Sequence, residues 1–237
     1  MRDCSAPGGS PAARWLRMSK AVAVACLVIA MGACDGDSGG ATTVTAVSGA
    51  DTPVAAVEEL RNLISAGDFD GAASMAVPDQ AVLASLGEGA TPSLIAQSLE
   101  NDGEEVAANF WSGFAQGVGD TFTGEMTIEE VGPVTERGVE FFLVGVTPEG
   151  GVERLMVTRD LDGHRIDLFG SFGAGLAEGM ISPVELLLGS SSPDARTILS
   201  ALQDVVPSLL VAATDESLSP EAVQRIIQLI EVITRVG

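Results

Sequence analysis

Four strand-like segments between Phe122 and Gly170 are joined by links only three to seven residues long, and this constrains the chain more than any other feature. The segments are Phe122–Val131, Val139–Thr147, Gly151–Arg159 and His164–Gly170. Their links are Thr135–Gly138 (TERG), Pro148–Gly151 (PEGG, partly shared with the strand) and Leu161-Asp162-Gly163, all with turn chemistry. A parallel crossover needs a dozen or more residues, so sequential neighbours must run antiparallel as a meander. In the second segment Phe141 and Leu143 alternate with Phe142, Val144 and Val146. Both faces are apolar, which predicts a central strand covered on both sides.

Helical signals flank the meander. Thr52-Pro53 pairs a capping hydroxyl with proline at the first helical position, and Val54, Val57, Leu60, Leu63 and Ile64 recur at helical spacing up to Gly67. Asp68 caps a short Ala-rich helix ended by Pro78, and Gln80–Leu86 reads as a third. Thr91-Pro92 opens a longer stretch to about Gly117, broken at Asn101-Asp102-Gly103, with Val106, Phe110, Trp111 and Phe114 on one face. After the meander, a Gly-rich bridge (Gly170–Gly179) leads to a short apolar segment, Pro183–Leu188. Ser192-Pro193 opens a helix to about Ala213, kinked or interrupted at Pro207. Ser219-Pro220 opens the last, striped by Val223, Ile226, Ile227, Ile230 and Ile233 with Arg225 and Glu231 outside the stripe. So amphipathic a helix packs on something. Docking on the exposed sheet face is the cheapest arrangement, with a homodimer seam or a partner groove as the alternatives. Helices first and then a meander make the fold class α+β.

The N-terminal region reads as an address. A basic stretch ending at Lys20 precedes thirteen uncharged, mostly apolar residues, Ala21–Ala33. That is the length of a signal-peptide core and short of the ~20 residues a spanning helix needs. It closes on Met31-Gly32-Ala33-Cys34, which resembles a bacterial lipobox, with methionine where leucine is commonest. The resemblance implies cleavage before Cys34 and a lipid on its thiol, placing the chain on the outer face of the bacterial cell membrane. Either Met1 or Met18 could be the start, since Met18 alone begins a compact leader. Cys4 and Cys26 leave with the leader, so the mature chain holds Cys34 alone and no internal disulfide. Stable anchoring then takes two or more acyl chains. The organisation expected is a signal peptide over 1–33, a Gly/Ser/Thr/Ala tether over 34–51, an α+β domain over 52–172 and a helical extension over 173–237 packing on that domain.

Charge narrows the partners. The whole chain carries −21. The leader removes Arg2, Arg14, Arg17 and Lys20 against Asp3, leaving 8 basic and 32 acidic residues and a mature charge of −24. All eight cations are arginines. Such a surface repels phosphate backbones, which excludes nucleic acid, and repels anionic head groups, so lipid and not charge must hold the chain to a membrane.

The run Pro53–Val57 followed by Ile64-Ser65-Ala66-Gly67-Asp68-Phe69-Asp70-Gly71-Ala72-Ala73 resembles the opening of NTF2-like domains. There an amphipathic helix, a Gly-Asp turn and an Ala-rich helix precede a curved sheet. Arg159–Leu168 (RDLDGHRIDL) is similar to the hairpin that commonly closes such sheets, in actinobacterial lipoproteins among others. The resemblance covers about residues 52–172 and implies N-terminal helices packed on a four-stranded cone. Family members include isomerases and dehydratases as well as non-catalytic binding modules. The tyrosine of ketosteroid-isomerase-like catalysis has no counterpart, because the chain contains none.

Chemistry-bearing residues are few. His164 is the single histidine, and with Asp167 or Asp162 it could form an acid–base pair. Gly170-Ser171-Phe172-Gly173 has the wrong spacing for a hydrolase elbow, and zinc or copper lacks ligands. Asp160-x-Asp162-Gly163 reads as a hairpin turn before a calcium loop, and Asp68-x-Asp70 as a helix cap. Gly173-x-Gly175-x-x-x-Gly179 misses the dinucleotide spacing by one residue, and no cofactor is implied. The reading is a non-catalytic envelope lipoprotein that binds a small apolar ligand or a protein partner. The alternative is a small isomerase- or dehydratase-like enzyme using a desolvated carboxylate, with Asp167 as the nameable base.

Overall fold

Each expected helix start with a hydroxyl or carboxylate cap is built as the sequence indicates. Thr52, Asp68, Thr91, Ser192 and Ser219 each accept the backbone N–H three residues on. They open α1 (Pro53–Ala66), α2 (Phe69–Ser74), α4 (Pro92–Glu100), α7 (Pro193–Asp204) and α9 (Pro220–Thr234). Each such cap is worth ~1 kcal/mol. Between them lie α3 (Gln80–Ala84), running into a 3-10 turn at Ser85–Glu88, then α5 (Glu104–Thr123), α6 (Leu168–Leu188) and α8 (Val206–Ala212). The computed structural model describes residues 49–101, 103–148, 154–160 and 163–235. The leader, Cys34 and nearly all of the tether lie outside the described residues, as do 149–151 of the PEGG link, Leu161 and Asp162.

The strands are β1 (Met126–Glu136), β2 (Val139–Pro148), β3 (Arg154–Asp160) and β4 (His164–Asp167). They form one antiparallel sheet in the order β1-β2-β3-β4. The chain is thus α+β with a four-stranded meander. Arg137 (φ 49) and Gly138 (φ 78) make the β1–β2 turn, the pair of positive angles that matches strand twist in a two-residue hairpin. Strand β2 is covered on both sides, with Phe141 and Val144 fully buried on opposite faces.

Three expectations about the elements are corrected. Phe122 is helical, and β1 starts at Met126. Phe122 meets Phe114 edge-on at 5.5 Å along one face of α5, so packing on that aromatic face outweighs its strand propensity. The strand expected over His164–Gly170 stops at Asp167, where Leu168–Gly170 begin α6. The Gly-rich bridge and the short apolar segment are one helix, α6, with Pro183 inside it. Three of its four glycines, Gly170, Gly173 and Gly179, mark close approaches. A Cβ on Gly170 would lie 2.9 Å from the Val157 side chain, and one on Gly179 would lie 3.0 Å from the Gly87 carbonyl oxygen. Burial against these neighbours offsets the ~1 kcal/mol that each helical glycine costs. The extension read to begin at 173 starts inside this helix.

Helix α6 runs between two cores. On one side α1, α2, α3 and α5 pack on the sheet through Leu60, Met75, Trp111, Val144 and Ile166. On the other, α4, α7, α8 and α9 enclose Phe169, Met180, Ile198, Leu209 and Leu229. The second sheet face is capped by α8, whose Val211 meets Phe141 and Val157. Helix α9 therefore does not dock on the sheet, as expected above, but on α6 and α8. Its buried face is Ile226, Leu229, Val232 and Ile233, and Ile227 turns outward. Residues 226, 229 and 233 follow the i, i+3, i+7 line, from which Ile227 is rotated by about 100°. Gln203 donates to the Ile233 carbonyl at 2.6 Å and secures the end of α9. Helices α7 and α8 meet at 47° just before Pro207, which gives the expected kink.

Candidate functional site

Asp167 ends β4 and caps α6, and it is the one fully buried acid among the described residues. Its Oδ1 accepts the Gly170 N–H at 2.8 Å, and its Oδ2 accepts the Ser208 hydroxyl at 2.6 Å. Gln80, delivered by α3, accepts the Leu168 N–H at 2.6 Å and the Phe169 N–H at 3.4 Å through Oε1. Two side chains thus satisfy the first three N–H groups of α6, where the helix dipole favours negative charge.

Burial pushes the Asp167 carboxyl above its ordinary value of 3.8. Hydrogen bonds from Ser208 and Gly170, the neighbouring Gln80 amide and the Arg159 charge pull the other way and do not overcome it. Gln80 Nε2 makes no hydrogen bond of good geometry, so its contribution is through proximity. Desolvation dominates because a carboxylate with no exposure loses its hydration shell, which a few neutral dipoles replace only in part.

The other candidates are placed apart. His164 and Asp167 stand three residues apart on β4 and so point to opposite faces, which rules out a dyad between them. The His164 ring sits edge-on to Phe142 at 4.9 Å, with Nδ1 3.3 Å from the Ala50 carbonyl oxygen. Asp162, its other possible partner, is outside the described residues, and so is the centre of the Asp160-x-Asp162-Gly163 turn. Ser171 lies in the first turn of α6, where its hydroxyl accepts the Val157 N–H at 3.0 Å and ties the helix to β3. The Gly173, Gly175, Gly179 series is helical throughout. Asp68 is the cap expected of it. Among the described residues no group of three His, Cys, Asp or Glu side chains could hold a metal ion.

Among the described residues, aromatic side chains occupy the space between the N-terminal helices and the sheet. Trp111 lies fully buried there, edge-on to Phe110 and Phe114 at 5.3 Å each, and Phe114 also meets Phe172 at 5.3 Å. A hollow of about 20 Å³ opens on the far side of the sheet, between Leu143, Val157, Gly170 and Val211, with Thr214 and Asp215 at its rim. That is room for about one water, where drug-sized ligands occupy ~300–1,000 Å³.

Gln80 and Ser208 were not singled out by sequence reasoning. For Ser208 the available signal was a lone polar residue in the apolar run Val205–Ala213, whereas Gln80 shares Val77–Leu86 with Asp79 and Ser85 and carried no such signal. A polar group at such a position is buried and must find a partner. Comparison with protein-family models, with curated proteins and with solved structures finds no match to the chain.

Proposed function

We propose that this protein is a bacterial envelope lipoprotein, anchored by lipid on Cys34, whose α+β domain is a non-catalytic, protein-binding variant of the NTF2-like plan. The observation that carries the non-catalytic part is the closure of Asp167. Both of its oxygens are engaged inside the fold, and it has no solvent exposure. A general base must reach a substrate proton directly or through one water, and this carboxylate has a helix cap and a serine in those places. Aromatic filling of the helix–sheet interior supports a protein partner over a small apolar ligand. The NTF2-like part rests on the order of helices before an antiparallel meander and on the Gly67-Asp68 turn between α1 and α2. The anchoring part rests on the leader and Met31-Gly32-Ala33-Cys34.

The test is made in a bacterial host fed radiolabelled palmitate. The wild-type chain is expected to take up label and to fractionate with membranes, and Cys34→Ala to remain unlabelled. A labelled Cys34→Ala chain would remove the anchor assignment. Native mass spectrometry of the purified wild-type protein addresses the domain separately. A stoichiometric small organic molecule in the spectrum would replace the protein-binding reading.

A further inference from the structure

The two edges of the sheet are treated differently by the chain. Along β4 the outward backbone groups are taken. His164 exchanges two hydrogen bonds with Ala50, at 2.8 and 3.0 Å. Ile166 donates to the Met75 carbonyl and accepts from the Val77 N–H, each at 2.8 Å. Along β1 the ladder runs to β2 alone among the described residues. A bulge between Glu130 and Gly132 lifts Val131 out of the ladder, 61% exposed. Beyond it Pro133 has no N–H to offer, so pairing from outside cannot continue past the bulge. This leaves Met126–Glu130, five residues of straight edge.

We infer that Met126–Glu130 is a docking edge for an extended, cationic segment of a partner protein, added to the sheet as a fifth strand. The inference rests on the protein-binding reading above and gives it a surface and a chemistry. Side chains alternate across the edge. Met126 and Ile128 turn to the helix side and pack, half-buried, against the core there. Thr127 and Glu129 turn to the other side and are exposed, as Glu125 is before them, while Glu130 follows Met126 and Ile128 in the alternation and is exposed too. An added strand therefore needs apolar residues beside Met126 and Ile128, and basic ones beside Thr127 and Glu129. Arg61 is the cation at the start of the strand, and it donates to the Thr123 and Gly124 carbonyls. A second copy is the wrong occupant, because it would bring glutamates against glutamates on two bodies of charge −24.

The probe is an eight-residue peptide of alternating valine and lysine, added to the full processed chain in detergent, with amide exchange read by mass spectrometry. Exchange across Met126–Glu130 is expected to slow roughly tenfold at a peptide concentration about ten times its Kd. A peptide with proline at alternate positions should give no slowing, and neither should the Glu129→Lys, Glu130→Lys double variant with an unchanged urea midpoint. Absence of slowing on β1 overturns the inference. So does equal slowing by the proline peptide, or in the charge-reversed variant.

A photoreactive residue in cells separates the edge from the broader reading. An adduct through Thr127 to a basic segment supports the edge. An adduct through Leu186, 77% exposed on α6, without one at Thr127 overturns the edge and leaves protein binding standing. No adduct at either position overturns both.

Discussion

Replacing Asp167 separates the two roles its carboxyl could play, as a polar cap and as a charge. Asp167→Ala removes the acceptor for the Gly170 N–H and for the Ser208 hydroxyl, both inside the fold. Each buried group left unpaired costs ~1–3 kcal/mol, and the serine recovers part of this by turning to the Asp204 carbonyl, four residues back at the end of α7. The expected loss is about 2–4 kcal/mol. Asp167→Asn keeps the shape and the acceptor for Gly170, and its amide meets a hydroxyl that can donate or accept. It also removes a charge whose burial is unfavourable, so at pH 7 it should lie within ~1 kcal/mol of wild type or above it.

The pH dependence has a definite sign. A carboxyl with a raised pKa holds its proton more readily folded than unfolded, so its contribution to stability falls as pH rises. The fall spans the window between 3.8 and the raised native value and is complete above it. Urea unfolding followed by far-ultraviolet circular dichroism between pH 4 and 8 measures this. The stability of Asp167→Asn minus that of wild type should grow with pH across the window and then level off. Two results refute the reasoning: an asparagine variant as damaged as the alanine one, or a difference that shrinks as pH rises.

Trp111→Ala empties the centre of the helix–sheet core and should cost ~3–5 kcal/mol, read as a lower urea midpoint. Full retention of that midpoint would mean that the aromatic cluster does not fill the interior. Two glycines of α6 should respond with opposite signs. Gly175→Ala meets nothing within 4 Å and should stabilise by about 0.5–1 kcal/mol. Gly179→Val would drive its Cβ to 3.0 Å from the Gly87 carbonyl oxygen and should cost ~1–3 kcal/mol, with thermal melts reading both shifts. Equal and small effects at the two positions would contradict close packing of α6 on the 3-10 turn.

Local rules made much of the fold legible in the residues themselves. Thr52, Asp68, Thr91, Ser192 and Ser219 each bond within three positions of themselves, so no distant partner is needed to place those helix starts. Short links set the antiparallel order for a similar reason, since chain reach leaves no other neighbour. The alternation along Val139–Val146 told that both faces of β2 would be covered, although not by what. Asp167 was visible as an acid within the expected strand His164–Gly170, but neither the strand end there nor its role as a cap was.

What tertiary structure alone decided is whatever depends on residues far apart in the chain. Gln80 lies 88 positions from the N–H it accepts on Leu168, and Ser208 lies 41 from Asp167, so no local pattern links them. Helix α6 passes through four glycines and a proline that local propensity reads as a bridge, because three of the glycines fit against surfaces that come from the 3-10 turn, α8 and the sheet. The stripe on α9 announced that the helix would be buried, and the location followed from α8 having already taken the sheet face. Periodicity and capping are written in a few neighbouring residues. The choice of packing partner is settled only when all the apolar faces compete for one another in three dimensions.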